Sequence, residues 1–316
     1  MKVAIAGATG FVGSRLVEKL QAAGHQVVVL SRDAAKAGRV FPASAYPNLE
    51  VVAYTPAESG DWLHSIAGCD GVVNLAGVPI AEERWTAARQ QAILDSRKLT
   101  TAKLVEAIVN ANPKPSVFVS ASAIGYYGTS ETAEFDENSP AGNDFLATVC
   151  KDWEAAAQPA KNAAAQPAKN TGTRLAILRL GIVLGMGGAL AKMLPPFKLF
   201  AGGPIGTGKQ WFSWVHREDV VDLILYALQN PQVEGVLNAT APNPVRMNEL
   251  CQTLGQVLNR PSWLPVPSFA LELLLGDGAK VVLEGQKVLP KQTLASGFQY
   301  QYPTLKLALE EILTGN

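Results

Sequence analysis

Continuous runs of apolar and β-branched residues recur through the first 180 positions, at 3–6, 27–30, 51–54, 71–74, 117–120 and 175–180. Runs without in–out alternation mark strands buried on both faces, as in a parallel sheet covered by helices. Stretches of helical periodicity lie between them, at 11–23, about 85–110 and 145–165. Strand–helix alternation of this kind predicts a doubly wound α/β sheet. After Gly181 the rhythm changes. Residues 181–188 and 201–208 are rich in glycine, and Pro195, Pro196 and Pro204 punctuate that region. A helix is expected at 217–229, a strand at 236–239 and a helix at 247–258, then a proline-bearing tail with two short helices. The pattern divides the chain into a sheet domain, 1–180, and a smaller C-terminal α/β lobe, 181–316, partly interleaved with it.

One repeat interrupts this pattern. Residues 155–162 and 163–170 both read AAAQPAKN. Eight residues are too few for a solenoid unit, and Pro159 and Pro167 should each break or kink a helix. The repeat reads as a duplicated surface insertion without chemistry.

Composition narrows the function classes. The chain has 316 residues, about two domains by length, and 27 Lys+Arg against 27 Asp+Glu. A neutral chain lacks the basic excess of a nucleic-acid binder. Hydrophobic residues make up 48% and charged residues 17%, which suits a packed core rather than disorder. No apolar run reaches the length of a membrane span, and no secretory signal is expected. Cys69, Cys150 and Cys251 form neither a disulfide framework nor a zinc pattern, so no metal site is expected. A reducing, cytoplasmic compartment follows.

The candidate chemistry begins at Gly7-Ala8-Thr9-Gly10-Phe11-Val12-Gly13, directly after the first strand and opening the first helix. Glycines there permit a tight turn and close approach of a pyrophosphate, which the helix N-terminus then faces. The GxxGxxG spacing varies the GxGxxG fingerprint, and strand before with helix after is its confirming context. Gly7, Thr9, Gly10, Phe11, Val12 and Gly13 are therefore candidate dinucleotide contacts. An acidic residue about 20 positions on usually holds the ribose of NAD. Here the second strand ends in Ser31-Arg32, and both side chains can donate to a 2′-phosphate, favouring NADP(H). Asn74, Leu75, Ala76 and Gly77, ending the fourth strand, should pass close to the cofactor. Ser120 and Ser122, ending the fifth, should face the nicotinamide, because ligands bind at the carboxyl ends of such strands.

Among the remaining residues, His216 beside Trp214 near the expected cleft is a candidate substrate contact, against a helix cap or packed ring. Glu82, Glu83, Arg84 and Trp85 could overhang the cleft or simply begin a solvated helix. Cys150 has no evident activating neighbour and reads as packing.

Several motifs in order carry a resemblance: Gly7–Gly13, Leu30-Ser31-Arg32, Asn74–Gly77, Ala123-Ile124-Gly125-Tyr126-Tyr127-Gly128, Asp152-Trp153-Glu154, Arg179-Leu180-Gly181-Ile182-Val183-Leu184-Gly185, Trp214-Val215-His216-Arg217-Glu218-Asp219, Leu283-Glu284-Gly285-Gln286-Lys287, and Gly297-Phe298 with Tyr302-Pro303. Across nearly its whole length the chain resembles extended short-chain dehydrogenase/reductases of the epimerase family. More narrowly it is similar to their atypical SDR39U1-like subgroup, some of whose relatives are labelled cell-division factors. The resemblance implies a Rossmann-type fold, a terminal segment at about 260–310, and an oxidoreductase or epimerase acting on a carbonyl or a nucleotide-linked sugar. It also implies that Arg97 binds NADP phosphates and that Val183 contacts the nicotinamide through its main chain.

In extended members, a serine at the end of strand five works with a Tyr-x-x-x-Lys pair on the next helix. Ser122 matches the serine. Aligning Glu154 with the acidic residue four after the usual lysine puts Leu146 at the tyrosine position and Cys150 at the lysine position. Leucine has no proton to give. Either Tyr126 or Tyr127 replaces the acid, with Lys151 approaching from another turn, or Ser122 is a buried hydroxyl and catalysis is lost. The second alternative makes the protein an NADP(H)-binding regulator or scaffold, for example in cell or plastid division. Expected partners are accordingly a small-molecule substrate, a homodimer mate or a regulatory protein.

Overall fold

The computed structural model describes residues 1–162 and 172–314. The second copy of the octapeptide repeat lies outside the described residues. In chain order the first half runs β1 (Lys2–Ala6), α1 (Phe11–Ala22), β2 (Gln26–Ser31), α2 (Ala34–Val40), β3 (Leu49–Ala53), β4 (Gly71–Asn74), α3 (Ala87–Asn110), β5 (Val117–Ala123), β6 (Glu134–Phe135), α4 (Phe145–Ala157) and α5 (Pro159–Asn162). The second runs β7 (Arg174–Leu180), β8 (Ile182–Leu184), α6 (Gly188–Lys198), β9 (Trp211–Phe212), β10 (Trp214–His216), α7 (Arg217–Gln229), β11 (Gly235–Ala239), β12 (Val245–Arg246) and α8 (Met247–Leu258). It closes with α9 (Ser268–Leu275), α10 (Lys280–Leu283), β13 (Lys287–Val288), α11 (Lys291–Ala295) and α12 (Leu305–Thr314). Among the described residues no helix is long and apolar enough to cross a membrane.

Seven parallel strands form one sheet in the order β11-β7-β5-β4-β1-β2-β3. The chain winds outward from β1 to β3, then returns to continue from β4 on the other side. This reversal makes the sheet doubly wound and opens a crevice between β1 and β4, where such folds bind ligands. Strand residues alternate between two cores. Val3 and Ile5 face a layer built on Leu16, Leu20, Val221 and Ile224, whereas Ala4 and Ala6 face Leu104, Ile108 and Trp62. Both faces are dry, which explains the unalternating strand runs.

The seventh strand, β11, comes from beyond residue 180, so sheet and smaller lobe are interleaved in sequence. The expected helix at 145–165 divides at Pro159, which lacks the N–H that would continue the backbone ladder and instead opens α5. The lobe has its own core, in which Trp214, Leu190, Leu250, Leu254 and Leu309 are fully buried. Trp214 also donates its indole N–H to the Asn243 carbonyl at 3.0 Å.

Removing that ring leaves a large void and an unpaired carbonyl. Trp214→Ala is expected to lower the unfolding free energy by about 3–5 kcal/mol. Urea unfolding followed by far-UV circular dichroism checks this, and a loss below 1 kcal/mol would mean that the lobe does not depend on its core.

Candidate functional site

A cleft of about 760 Å³ opens at the carboxyl ends of β1, β4 and β5 and is closed on its far side by the C-terminal lobe. Gly7, at φ +85°, makes the turn after β1, and a Cβ there would fall 2.7 Å from the Leu75 carbonyl. At Gly13 a Cβ would lie 2.2 Å from the Gly7 carbonyl oxygen. These glycines let strand, turn and helix close on one another. Gly10, the N-cap of α1, offers no side-chain cap, and no acidic residue occupies the first turn. The first amides of α1 therefore carry the partial positive charge of a helix start without an internal acceptor from the cap. Gly10, Phe11, Val12 and Gly13 line the cleft there, and Leu75, Ala76, Gly77 and Val183 line it opposite.

Beside this loop, β5, β7 and β11 run in register, setting Ser122 next to Arg179 and Arg179 next to Asn238. Glu154 comes down from α4 onto that row. The Ser122 hydroxyl donates to Glu154 Oε1 at 2.7 Å, and the Arg179 guanidinium grips both carboxylate oxygens at 2.8 Å. Arg179 also donates to the Tyr127 hydroxyl at 3.0 Å, which in turn donates to Asn238 Oδ1 at 2.7 Å. Burial opposes the charge on Arg179, but the Glu154 hydrogen bonds outweigh it and hold the guanidinium above its usual range. Burial pushes the Tyr127 phenol up to about 12 despite the pull of Arg179.

Leu146 and Cys150 both line the cleft beneath Gly125, where a Cβ would lie 3.2 Å from Leu146 Cβ and 3.9 Å from Cys150 Sγ. Burial, reinforced by the Glu154 charge, pushes the Cys150 thiol up to about 12. A neutral thiol and an alkyl chain thus face the cleft where the expected alignment puts lysine and tyrosine. Lys151, one position on, is exposed and does not line the cleft.

A cation does reach this wall from α3. The Arg97 guanidinium packs 3.1 Å from the position of a Cβ on Gly77 and donates to the Val78 and Ile93 carbonyls at 3.2 and 3.1 Å. Its partners are carbonyls and the Ser96 hydroxyl, with no carboxylate in contact among the described residues. Burial lowers its basicity, and the neighbouring Arg89 charge adds to that effect. It stands 5.2 Å from the ring centre of Trp153, whose indole N–H is buried without a partner. A guanidinium with no carboxylate partner among the described residues and an unpaired indole N–H therefore share one wall of the cleft.

Several predicted residues lie elsewhere. Tyr126 and Tyr127 are outside the cleft lining: Arg179 lies 3.3 Å above the Tyr126 ring, and Tyr127 stacks on Phe135. Neither tyrosine meets the cleft as a replacement acid. Asn74 is fully buried, donating to Thr101 Oγ1 at 2.8 Å and accepting from the Ala76 amide at 3.1 Å, so it shapes the turn rather than touching a ligand. Ser120 is buried with its hydroxyl on the Ala121 carbonyl. Ser31 bonds within its own turn, Arg32 is exposed at the strand end, and Thr9 is not in the lining. The two substrate candidates are displaced by strand alternation. Trp214 and His216 flank Val215 on β10 and point into the C-terminal lobe, away from the cleft. His216 caps α7, accepts from the Glu218 amide, meets Glu311 at 2.9 Å and packs 4.0 Å from the Tyr302 ring.

Other lining residues escaped the sequence reading. Trp153, Phe145, Trp211, Lys280 and Gln286 all line the cleft. The Gln286 amide donates to the Ile124 carbonyl at 2.9 Å, tying the C-terminal lobe to the end of β5. A helical spacing of 146, 150 and 153 was the available signal for Trp153. The C-terminal residues had none, because only the folded chain brings them to the sheet.

A family model described as the NAD dependent epimerase/dehydratase family matches residues 3–239, and a domain of unknown function (DUF1731) matches 266–312. An Arabidopsis thaliana protein, "Epimerase family protein SDR39U1 homolog, chloroplastic", is 52% identical over 99% of this chain and 87% of its own length. The Homo sapiens epimerase family protein SDR39U1 is 40% identical, covering 99% and 100%. A crystal structure of the human protein (isoform2) with NADPH superimposes at a TM-score of 0.84, with 38% identity and full coverage of both chains.

The Glu154–Arg179 pair is open to a direct test. Glu154 and Arg179 side chains are only 11% and 4% exposed. Removing one buried partner strands the other charge, so Glu154→Leu is expected to cost about 3–5 kcal/mol. The double variant Glu154→Leu/Arg179→Leu should cost less than Glu154→Leu alone. If urea unfolding gives a double loss equal to the sum of the single losses, the two charges are not coupled.

Proposed function

Because the chain belongs to the NAD dependent epimerase/dehydratase family, we propose that its cleft binds NADP(H) and that the protein is an oxidoreductase reducing a carbonyl-bearing small molecule. The observation that carries this is the joining, in one cleft, of an uncapped α1 N-terminus with an Arg97 guanidinium that no carboxylate among the described residues neutralises. The NADPH in the human relative's crystal supports the same reading. The amides of Gly10–Gly13 would hold the diphosphate, with Gly7 giving it room. Arg97 would add a second anion contact. Ser31 and Arg32, at the end of β2, would meet the 2′-phosphate, and the Leu75–Gly77 turn and Val183 would pack on the cofactor through main-chain atoms. When bound, NADP(H) supplies the hydride donor.

The chain's own residues decide which direction is favoured. Ser122 has committed its hydrogen to Glu154, so its oxygen accepts from a protic group rather than polarising a carbonyl. Sugar epimerisation begins with removal of a hydroxyl proton, and Leu146 and the neutral Cys150 thiol provide no base at that point. Reduction of a substrate that needs no strong side-chain acid is the better fit. A regulatory, cofactor-binding protein is the second reading, favoured by α9, which buries none of its residues and exposes Phe269, Leu273 and Leu274. Stoichiometric NADPH oxidation by an added acceptor counts for the enzyme, and its absence across acceptor classes counts for the regulator.

Titration by nicotinamide fluorescence tests the cofactor site. NADPH should bind more tightly than NADH. Arg32→Ala should weaken NADPH at least tenfold and leave NADH unchanged, since a charge-assisted hydrogen bond contributes about 1.5–3 kcal/mol. Arg97→Met should weaken both nucleotides by about tenfold. Equal affinities unaffected by either change would reject the assignment.

A further inference from the structure

One wall of the cleft, made by residues 78–86, the start of α4 and the C-terminal lobe, is aromatic. The Trp85 ring meets Phe145 at 5.1 Å and an angle of 70°. Its indole N–H is already donated to the Ile80 carbonyl at 2.7 Å, and its backbone N–H reaches the Leu275 carbonyl. Gly278 leaves room beside the ring, where a Cβ would lie 3.0 Å away. Trp85 is thus held from both sides, with its polar atom spent. What it and Phe145 offer a ligand is apolar aromatic surface, continued by Leu146.

Charge on the lining separates two substrate classes. The ionisable acids and bases there, cysteine aside, are Arg97, Lys280, Asp144, Asp277 and Glu284. With Arg97 assigned to the cofactor, a nucleoside diphosphate sugar would bring two negative charges to three carboxylates and a single lysine. Asp144 and Glu284 are held in place, by the Ala147 amide and the Thr129 hydroxyl at 2.8 Å each. Charge complementarity therefore rejects a second diphosphate and admits an uncharged ring.

The missing acid selects further within uncharged carbonyl compounds. Hydride addition to an isolated ketone leaves an alkoxide about as basic as hydroxide, far too basic to form without an acid beside it. A quinone leaves a phenolate, whose conjugate acid lies near 10, as in tyrosine. Only the second can wait for a proton from solvent. Resting on the NADP(H) reading above, we infer that the cleft takes a planar quinone between its aromatic wall and the cofactor. In the balanced reaction NADPH, quinone and one proton give NADP⁺ and hydroquinone. Two electrons and one hydrogen arrive as hydride, one carbonyl π pair passes into the ring, and the resulting phenolate takes its proton from water.

Isothermal titration of the full chain saturated with NADP⁺ tests binding apart from turnover, with 1,4-naphthoquinone and UDP-glucose as probes. Naphthoquinone should bind, UDP-glucose should neither bind nor compete, and Trp85→Leu should weaken naphthoquinone about tenfold while leaving NADP⁺ affinity unchanged. Phe145→Leu serves the same purpose should Trp85→Leu fail to fold. Naphthoquinone failing to bind a protein that does bind NADP⁺ overturns the quinone inference alone. So does competition by UDP-glucose, or naphthoquinone affinity indifferent to both variants. Failure to bind NADP⁺ overturns the cofactor reading and this inference with it.

Discussion

A carboxylate and a guanidinium buried together at the strand ends set the terms for everything around them. Taking Glu154 and Arg179 out of water costs several kcal/mol per ion, and their attraction repays it only with good geometry and every remaining polar atom satisfied. Here the geometry is a two-pronged grip, and the remaining partners are Ser122, Tyr127 and Asn238. Three of these residues stand side by side on β5, β7 and β11, so the network exists only while those strands keep their register. A slip by one residue would turn the row to the opposite face of the sheet.

That pair also decides what the cleft contains. Glu154 fixes the rotation of α4, and residues four and eight positions earlier must share its face. Those residues are Cys150 and Leu146, and both meet the cleft beneath Gly125. Lys151 lies about a quarter-turn away and is exposed for the same reason. Reading the motif around Glu154 as an anchor therefore makes the loss of the tyrosine–lysine pair a matter of helical geometry. Ser122 is drawn into the anchor too, and its hydrogen goes to Glu154 instead of to a ligand.

What could be read from sequence was what is local. The six strands predicted in the first 180 residues, α1, α7 and α8 follow from short-range periodicity, and the glycine loop declares itself by strand before and helix after. Contacts made across long separations were not legible. Tyr127 was a plausible acid until Arg179, 52 positions on, and Asn238, 111 positions on, claimed its hydroxyl. Trp214 and His216 were drawn to the wrong place because β10 is three residues long, and its facing depends on pairing with β8. The strand at 235–239 was recognised as a strand, but its seat at the edge of the large sheet depends on β7.

The two walls of the cleft are built on different principles. The cofactor side is largely main chain and glycine: the turn at Gly7, the uncapped start of α1 and the Leu75–Gly77 segment. Side-chain changes there act mostly by obstruction, as the 2.2 Å approach at Gly13 shows. On the opposite side Gln286 ties the lobe to the Ile124 carbonyl at the end of β5, and Ser213 binds the carbonyl of Gln286 and the amide of Val288 within the lobe. A Cβ on Gly285 would fall 2.0 Å from the Trp211 carbonyl, so the segment before β13 meets β9 backbone to backbone. The rings of Trp85 and Phe145 belong to this side, where Gly278 of the lobe packs against the indole. Substitutions on the first side act through the space left for backbone, and those on the second through the ring surface it presents to the cleft.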